Sequence, residues 1–120
     1  MGIKEELEAI AEKVDALWKE EKLTELADTF YTEDAVCVFP KVGKLVGRDA
    51  VVKYWQAEVA SSGGWSNLKH EIEEAYQPTD DLAFSRMRFE IGEMLLWVAL
   101  VWKKVDSNWK ACQEITCLKQ

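Results

Sequence analysis

The chain of 120 residues is 48% hydrophobic and 31% charged, the size and balance of a single domain, 1–120, whose core needs no disulfide staples. Neither repeats nor low-complexity tracts interrupt it, which excludes solenoid, collagen-like and disordered architectures. Its 22 acidic and 15 basic residues leave a net charge of −7, the wrong sign for neutralising phosphates, so no nucleic acid partner is expected.

From the N-terminus, Ile3, Leu7, Ile10, Val14, Leu17 and Trp18 recur at steps of three and four among Glu, Lys and Asp, the period of an amphipathic helix. Thr24 then stands as a cap ahead of Leu26, Ala27 and Phe30, predicting a short second helix broken near Tyr31-Thr32-Glu33-Asp34. The run Ala35–Phe39 reads as a short strand stopped by Pro40, with Gly43 and Gly47 bracketing a turn. Asp49 is positioned to cap a third helix carrying Val51, Val52, Trp55 and Val59 on one stripe and ending at Ser61-Ser62-Gly63-Gly64.

Beyond these glycines the period changes to two. Four extended segments follow, Asn67–Tyr76, Leu82–Ile91, Met94–Val105 and Trp109–Leu118, separated by turns at Gln77–Asp81, Gly92-Glu93 and Asp106–Asn108, which predicts an antiparallel meander. The fold class is α+β, with three helices packed on one side of a curved, mainly antiparallel sheet. Met94–Trp102 is apolar on both strand faces yet too short to span a bilayer as a helix, so no membrane partner is expected. Three helices cover only one sheet face, and a second copy is the simplest cover for the other. The expectation is a homodimer through the sheet, with Trp97 or Trp102 near the seam.

The cysteines Cys37, Cys112 and Cys117 are odd in number, lack CxxC spacing, and no apolar segment opens the chain, which points to a reduced, cytoplasmic protein. Cys112 and Cys117, five apart on one strand, should face opposite ways, against a shared metal. Met1-Gly2 is not followed by the Ser or Thr that myristoylation wants, because Glu6 stands there.

The phrases Phe30-Tyr31-Thr32-Glu33-Asp34-Ala35-Val36, Val46-Gly47-Arg48-Asp49-Ala50, Ala83-Phe84-Ser85-Arg86, and Val101-Trp102-Lys103 followed by Trp109-Lys110 resemble the SnoaL-like branch of the nuclear-transport-factor-2-like, cystatin-like superfamily. The resemblance spans nearly the whole chain. It implies a cone of helices and sheet enclosing one pocket, usually in a dimer. That fold hosts isomerases, cyclases, epoxide hydrolases, dehydratases, transport factors and kinase association domains, so it does not choose a function. Where ketosteroid isomerases carry Tyr, Asp and Asp, this chain aligns Val14, Phe39 and Leu100, none able to move a proton. Of the Arg-Asp-Asp set of the epoxide hydrolases, Arg86 and Glu114 fit two places and Arg88 occupies the third. The kinase association domain shares the pocket arginine at Arg86, but another of its arginines falls near Leu100.

Arg86 and Arg88 are two apart and so share a face with Leu82 and Phe84; a guanidinium on an apolar stripe needs a carboxylate or a ligand anion. The expected partner is Glu114, between Cys112 and Thr116 on the last strand, and the alternative is a solvated ion pair at the sheet rim. Glu114 and His70 are the candidate catalytic groups. His70 shares a face with Leu68, Ile72 and Tyr76, where a structural role is the alternative. Phe39, Tyr54, Trp55, Trp18 and Leu100 complete the expected pocket, although Phe39 and Leu100 are large enough to fill it and core packing accounts for most of the six tryptophans. Glu71, Glu73, Glu74, Asp80 and Asp81 read as a solvated edge. No metal and no cofactor are expected. The resulting expectation is a homodimer binding a small apolar or weakly anionic ligand, with cofactor-independent isomerase, cyclase or hydrolase chemistry as the activity the fold implies. The alternative is an association module like the kinase hub domain, without catalysis.

Overall fold

In the computed structural model, which describes residues 2–62, 68–91 and 93–119, the elements are α1 (Ile3–Lys19), α2 (Leu23–Phe30), β1 (Tyr31–Phe39), β2 (Gly43–Val46), α3 (Arg48–Ser62), β3 (Leu68–Thr79), β4 (Leu82–Ile91), β5 (Met94–Val105) and β6 (Asn108–Leu118). The six strands form one mixed sheet in the order β2-β1-β6-β5-β4-β3. Every neighbouring pair is antiparallel except β1 and β6, which run parallel. The meander predicted for the last four strands is present, and the α+β class with three helices on one side of the sheet holds. α1 packs toward β3, α2 toward β1 and β6, and α3 toward β1 and β2.

Burial, more than capping, sets the helix boundaries. α2 starts at Leu23, with Lys22 at the cap position and no side-chain cap. Thr24 therefore lies inside the first turn rather than capping it, and the burial of Leu23, Leu26, Ala27 and Phe30 supplies what a cap would have given. Asp49 likewise sits in the first turn of α3, where its charge favours the helix N-terminus without capping. The start of α3 depends instead on Gly47, whose φ of 89° suits glycine. Its N–H donates to Ala35 O at 2.8 Å, and its own carbonyl accepts from the Val51 N–H. Arg48 fastens this corner, reaching Asp28 Oδ1 at 3.6 Å and Tyr31 O at 3.5 Å. The glycines at 63 and 64, expected to end α3, and Asn67, expected to open β3, lie outside the described residues.

Three differences in the strands have local causes. β1 begins at Tyr31, four residues before the expected start, because Tyr31 pairs with Ala111 of β6 across an irregular register. The segment Gly43–Val46 is a strand rather than a turn alone, since Val36–Phe39 offers it a free antiparallel edge. β3 runs on through Pro78, which its place at the sheet edge tolerates.

Along β5 the residues Val98, Leu100 and Trp102 are buried under the helices, while Ala99 is exposed and Trp97 and Val101 are half-buried on the opposite face. Trp102 is thus a core residue and cannot lie at an outer seam. Being five residues apart, the two tryptophans face opposite ways. Trp102 is fully buried, and its Nε1–H donates to the buried Ser85 hydroxyl at 2.8 Å, whereas the buried Trp109 Nε1 has no hydrogen-bond partner among the described residues. Trp102→Phe should therefore cost about 1–3 kcal/mol, by stranding the Ser85 hydroxyl and leaving a gap. Trp109→Phe, which strands nothing, should cost less than Trp102→Phe. Urea midpoints at unchanged slope report the difference, and equal costs would remove the Ser85 hydrogen bond from the account.

Candidate functional site

Between the helices and the inner sheet face lies a cavity of about 420 Å³, within the range of small-molecule sites. Its helical wall comes from Val14, Asp15 and Trp18 of α1 and Tyr54, Trp55 and Glu58 of α3. The sheet contributes Tyr31 and Phe39, Met87 and Phe89, Val98 and Leu100, and Glu114 and Thr116. These residues alternate along their strands, so one face of each strand looks into the cavity. Val42, Met94 and Leu118 line it and are also exposed, giving its mouth an apolar rim.

Aromatic contacts hold the walls. Trp18 meets Trp55 edge-on at 5.7 Å, Tyr31 lies 5.7 Å from Trp55, and Phe39 stacks on Tyr54 at 4.8 Å. Phe39 and Leu100 line the space without closing it. Of the expected pocket residues, Phe39, Tyr54, Trp55, Trp18, Leu100, Glu114 and His70 all reach this cavity. The half-buried His70 packs its ring 6.2 Å from that of Phe89.

Arg86 and Arg88 do not reach it. Ser85 and Met87 occupy the inward positions of β4 and both are buried, which sends Phe84, Arg86 and Arg88 to the outer face. There Arg86 pairs with Glu73 and Glu74, each at 3.2 Å, and Arg88 with Glu71 at 2.6 Å and Glu73 at 3.9 Å. Their carboxylates come from the neighbouring strand β3 and not from Glu114, so the expected Arg–Glu114 pair is absent and the arginines hold no anion in the cavity. This is the solvated ion-pair alternative, and the acidic run of β3 supplies its partners.

Glu114 has a different partner. The Tyr31 hydroxyl donates to Glu114 Oε1 at 2.7 Å, with both groups buried. Burial pushes the carboxyl up to about 7, against the smaller opposing effect of hydrogen bonds from Tyr31 and the nearby Thr116. Tyr31 is held well above the usual phenol range, first by burial and then by the charge of Glu114. Cys37, paired opposite Glu114 in the parallel ladder, is pushed up to about 12, chiefly by burial and next by Glu114. Such a thiol is no nucleophile near neutral pH. The arrangement can exchange a proton between the Glu114 carboxyl and a bound molecule near pH 7, with Tyr31 remaining a hydrogen-bond donor.

Tyr31, Asp15 and Glu58 were not among the sequence candidates. Tyr31 sits in a polar segment that reads as a helix break, and Asp15 and Glu58 fall among the many acidic residues of amphipathic helices. The alternation backward from Phe39 and Cys37 was the one available signal for Tyr31. All three cysteines are free. Among the described residues no three His, Cys, Asp or Glu side chains are grouped to hold a metal ion, and no helix is long and apolar enough to cross a membrane.

Three helices laid over one face of a six-stranded mixed sheet around an apolar pocket define the nuclear-transport-factor-2-like, cystatin-like class. Within it, residues 11–109 match the SnoaL-like domain, and the chain belongs to that family. A ketosteroid isomerase-like protein from Erwinia carotovora atroseptica is similar at 18% identity, with 98% of this chain and 96% of that one covered and a TM-score of 0.78. A putative calcium/calmodulin-dependent protein kinase type II association domain from Thiobacillus denitrificans is similar at 17% identity, 94% coverage of both chains and a TM-score of 0.75. An NTF-2-like protein of unknown function from Silicibacter pomeroyi follows at 15% identity, 99% and 100% coverage, and a TM-score of 0.75. These likenesses establish the fold. No curated protein matches the chain.

The raised Glu114 carboxyl fixes a pH dependence. Between its ordinary value of 4.5 and about 7, the folded state holds a proton that the unfolded state has released, so this contribution to stability is complete below 4.5 and declines as pH rises to 7. Relative to Glu114→Gln, the wild type should lose up to roughly 3 kcal/mol across that window and then level off. Urea unfolding of both proteins at pH 4.5, 6 and 7.5 measures it; parallel curves would mean that Glu114 titrates normally.

Proposed function

We propose that the chain is a small-molecule-binding SnoaL-like protein whose cavity holds a mainly apolar molecule, with Glu114 as its proton-transfer group. The observation that carries this is the buried Tyr31–Glu114 hydrogen bond, 2.7 Å long, at a mainly apolar cavity of about 420 Å³. Burying a carboxyl costs stability that an apolar side chain there would not, and a carboxyl poised near pH 7 is suited to general acid or base work. Isomerisation, cyclisation or water addition without a cofactor needs little more. With Arg86 outside, Tyr31 and Thr116 are the neutral donors near any developing charge, and His70 is a second polar contact.

The protein acts as a homodimer in this reading, joined through the outer sheet face. Phe84 and Ile115 are 40% and 50% exposed there, and they share that face with Ala99, Trp97 and Val101. The adjoining Arg86 and Arg88 pairs give the patch a charged border, the arrangement of an interface core and rim. The same stripe favours a second reading, an association module in which the outer face performs the function and the cavity is unused.

Native mass spectrometry of the purified chain separates the two. A dimer releasing a small molecule on unfolding is expected, and turnover of the molecule so identified should fall about 10²–10⁴-fold in Glu114→Gln with binding retained. A bare higher oligomer would establish the association reading, and a bare monomer would defeat both.

A further inference from the structure

The sheet wall of the cavity is a diagonal band. Pairing across the strands puts His70 opposite Phe89, Phe89 opposite Leu96 and Leu96 opposite Leu118. This row lies at the mouth, where Leu118 and the nearby Met94 are exposed. Two inward rows deeper, Glu114 stands opposite Leu100. Val98 and Met87, paired with each other, belong to the row between, and all of these residues line the one cavity. The polar side chains of the band therefore stand at its ends, Glu114 with the adjoining Thr116 at one and His70 at the other, and its middle is apolar. Three strand spacings and four ladder positions separate Glu114 from His70, about 20 Å along the sheet, which the twist of the sheet and the reach of the two side chains shorten to roughly 14 Å.

Both ends have hydrogen-bonding capacity to spare. Tyr31 takes Glu114 Oε1, while Oε2 stays accessible from the cavity. His70 shares the inner face of β3 with the buried Ile72. It is half-buried, and among the described residues its ring meets only that of Phe89. Polar groups in poorly solvated space favour a ligand that pairs with them. A hydroxyl suits both ends, because it donates and accepts and so pairs with a carboxyl in either protonation state and with either imidazole nitrogen.

We propose that the cavity selects an elongated, uncharged molecule with a hydroxyl at each end, one on Glu114 in the depth and the other on His70 at the mouth, about 14 Å apart. This deepens the small-molecule reading and rests on it. The hydrocarbon part lies along Val98, Met87 and Phe89. A shorter molecule anchored at Glu114 would strand its second hydroxyl among these apolar side chains, so the spacing of the two polar ends measures the ligand.

Four probes test this by isothermal titration calorimetry on the full chain at pH 7.5: 1-hexanol, 1,6-hexanediol, 1-decanol and 1,10-decanediol, the last of which spans the two ends when extended. The second hydroxyl should weaken binding about tenfold in the hexyl pair, where it finds no partner, and less than about threefold in the decyl pair. His70→Phe should weaken 1,10-decanediol about three- to tenfold and leave 1-decanol unchanged, whereas Glu114→Leu should weaken both decyl probes. The comparison within the wild type needs no variant and keeps the proposal testable if either substitution fails to fold. An equal cost of the second hydroxyl at both lengths, 1,10-decanediol binding indifferent to His70→Phe, or decyl binding indifferent to Glu114→Leu would overturn the two-ended assignment and leave the small-molecule reading standing. Binding by none of the four would overturn both.

Discussion

The Tyr31–Glu114 hydrogen bond depends on the one parallel strand pair, and the cavity takes its character from it. Tyr31 belongs to the first residue of β1 and Glu114 to the middle of β6, so their contact at 2.7 Å requires β1 to lie beside β6. Aromatic packing holds the tyrosine ring in place. It meets Phe30 at 4.8 Å and Trp55 at 5.7 Å, and Phe30 in turn meets Trp102 at 5.1 Å, which links α2, β1, α3 and β5 in one cluster. A hydroxyl placed by that much buried surface stays where it is, and the carboxyl therefore keeps a donor although no cation among the described residues pairs with it. The neutral donors Tyr31 and Thr116 leave the burial penalty only partly offset, which is why the carboxyl is pushed up to about 7.

Most of the architecture was legible because it rests on periodicity. Steps of three and four in Ile3–Trp18 and of two within the last strands identify the elements whatever the detail of packing, and the phrases around Gly47 and Trp102 carried the family. The pocket tryptophans and Glu114 followed from those elements. The arginines did not. Leu82 and Phe84 made the outer stripe of β4 look like the buried one, because the inward stripe contains Ser85, a polar residue whose buried hydroxyl accepts from Trp102 Nε1–H. A strand with apolar residues on both faces has no reliable inside until its neighbours are known. Tyr31 was hidden for a related reason: it keeps the parity of Ala35, Cys37 and Phe39, but the exposed Glu33 between them interrupts the apolar stripe.

The two sheet faces consequently divide the chemistry. The outer face places its arginines against the carboxylates of β3, where the charges are solvated and contribute little individually, and leaves Ile115 and Phe84 between β1 and β4 exposed. The inner face excludes cations from its sheet wall and keeps a lone carboxyl. Had β4 been turned over, the guanidinium groups would have entered the cavity, lowered the titration of Glu114 and made an anion site of the same fold. The charge of the cavity wall thus depends on strand parity as much as on composition.

Parity in β6 is itself set by one residue. Trp109 and Ala111 are buried on the inner side, and strict alternation would carry Gln113 inward and Glu114 out to solvent. Instead Trp102 pairs with Ala111 while Val101 pairs with Gln113, so Cys112 is an extra residue opposite β5, a β-bulge. Its thiol turns to Val101 O at 3.4 Å, and from there onward Glu114 and Thr116 point inward while Gln113 and Ile115 point out. Cys112 therefore does not share a face with Glu114, as unbroken alternation would have made it do. Because a one-residue shift moves every later side chain to the opposite face, this bulge puts the carboxyl beside Tyr31 and Ile115 on the outer patch together.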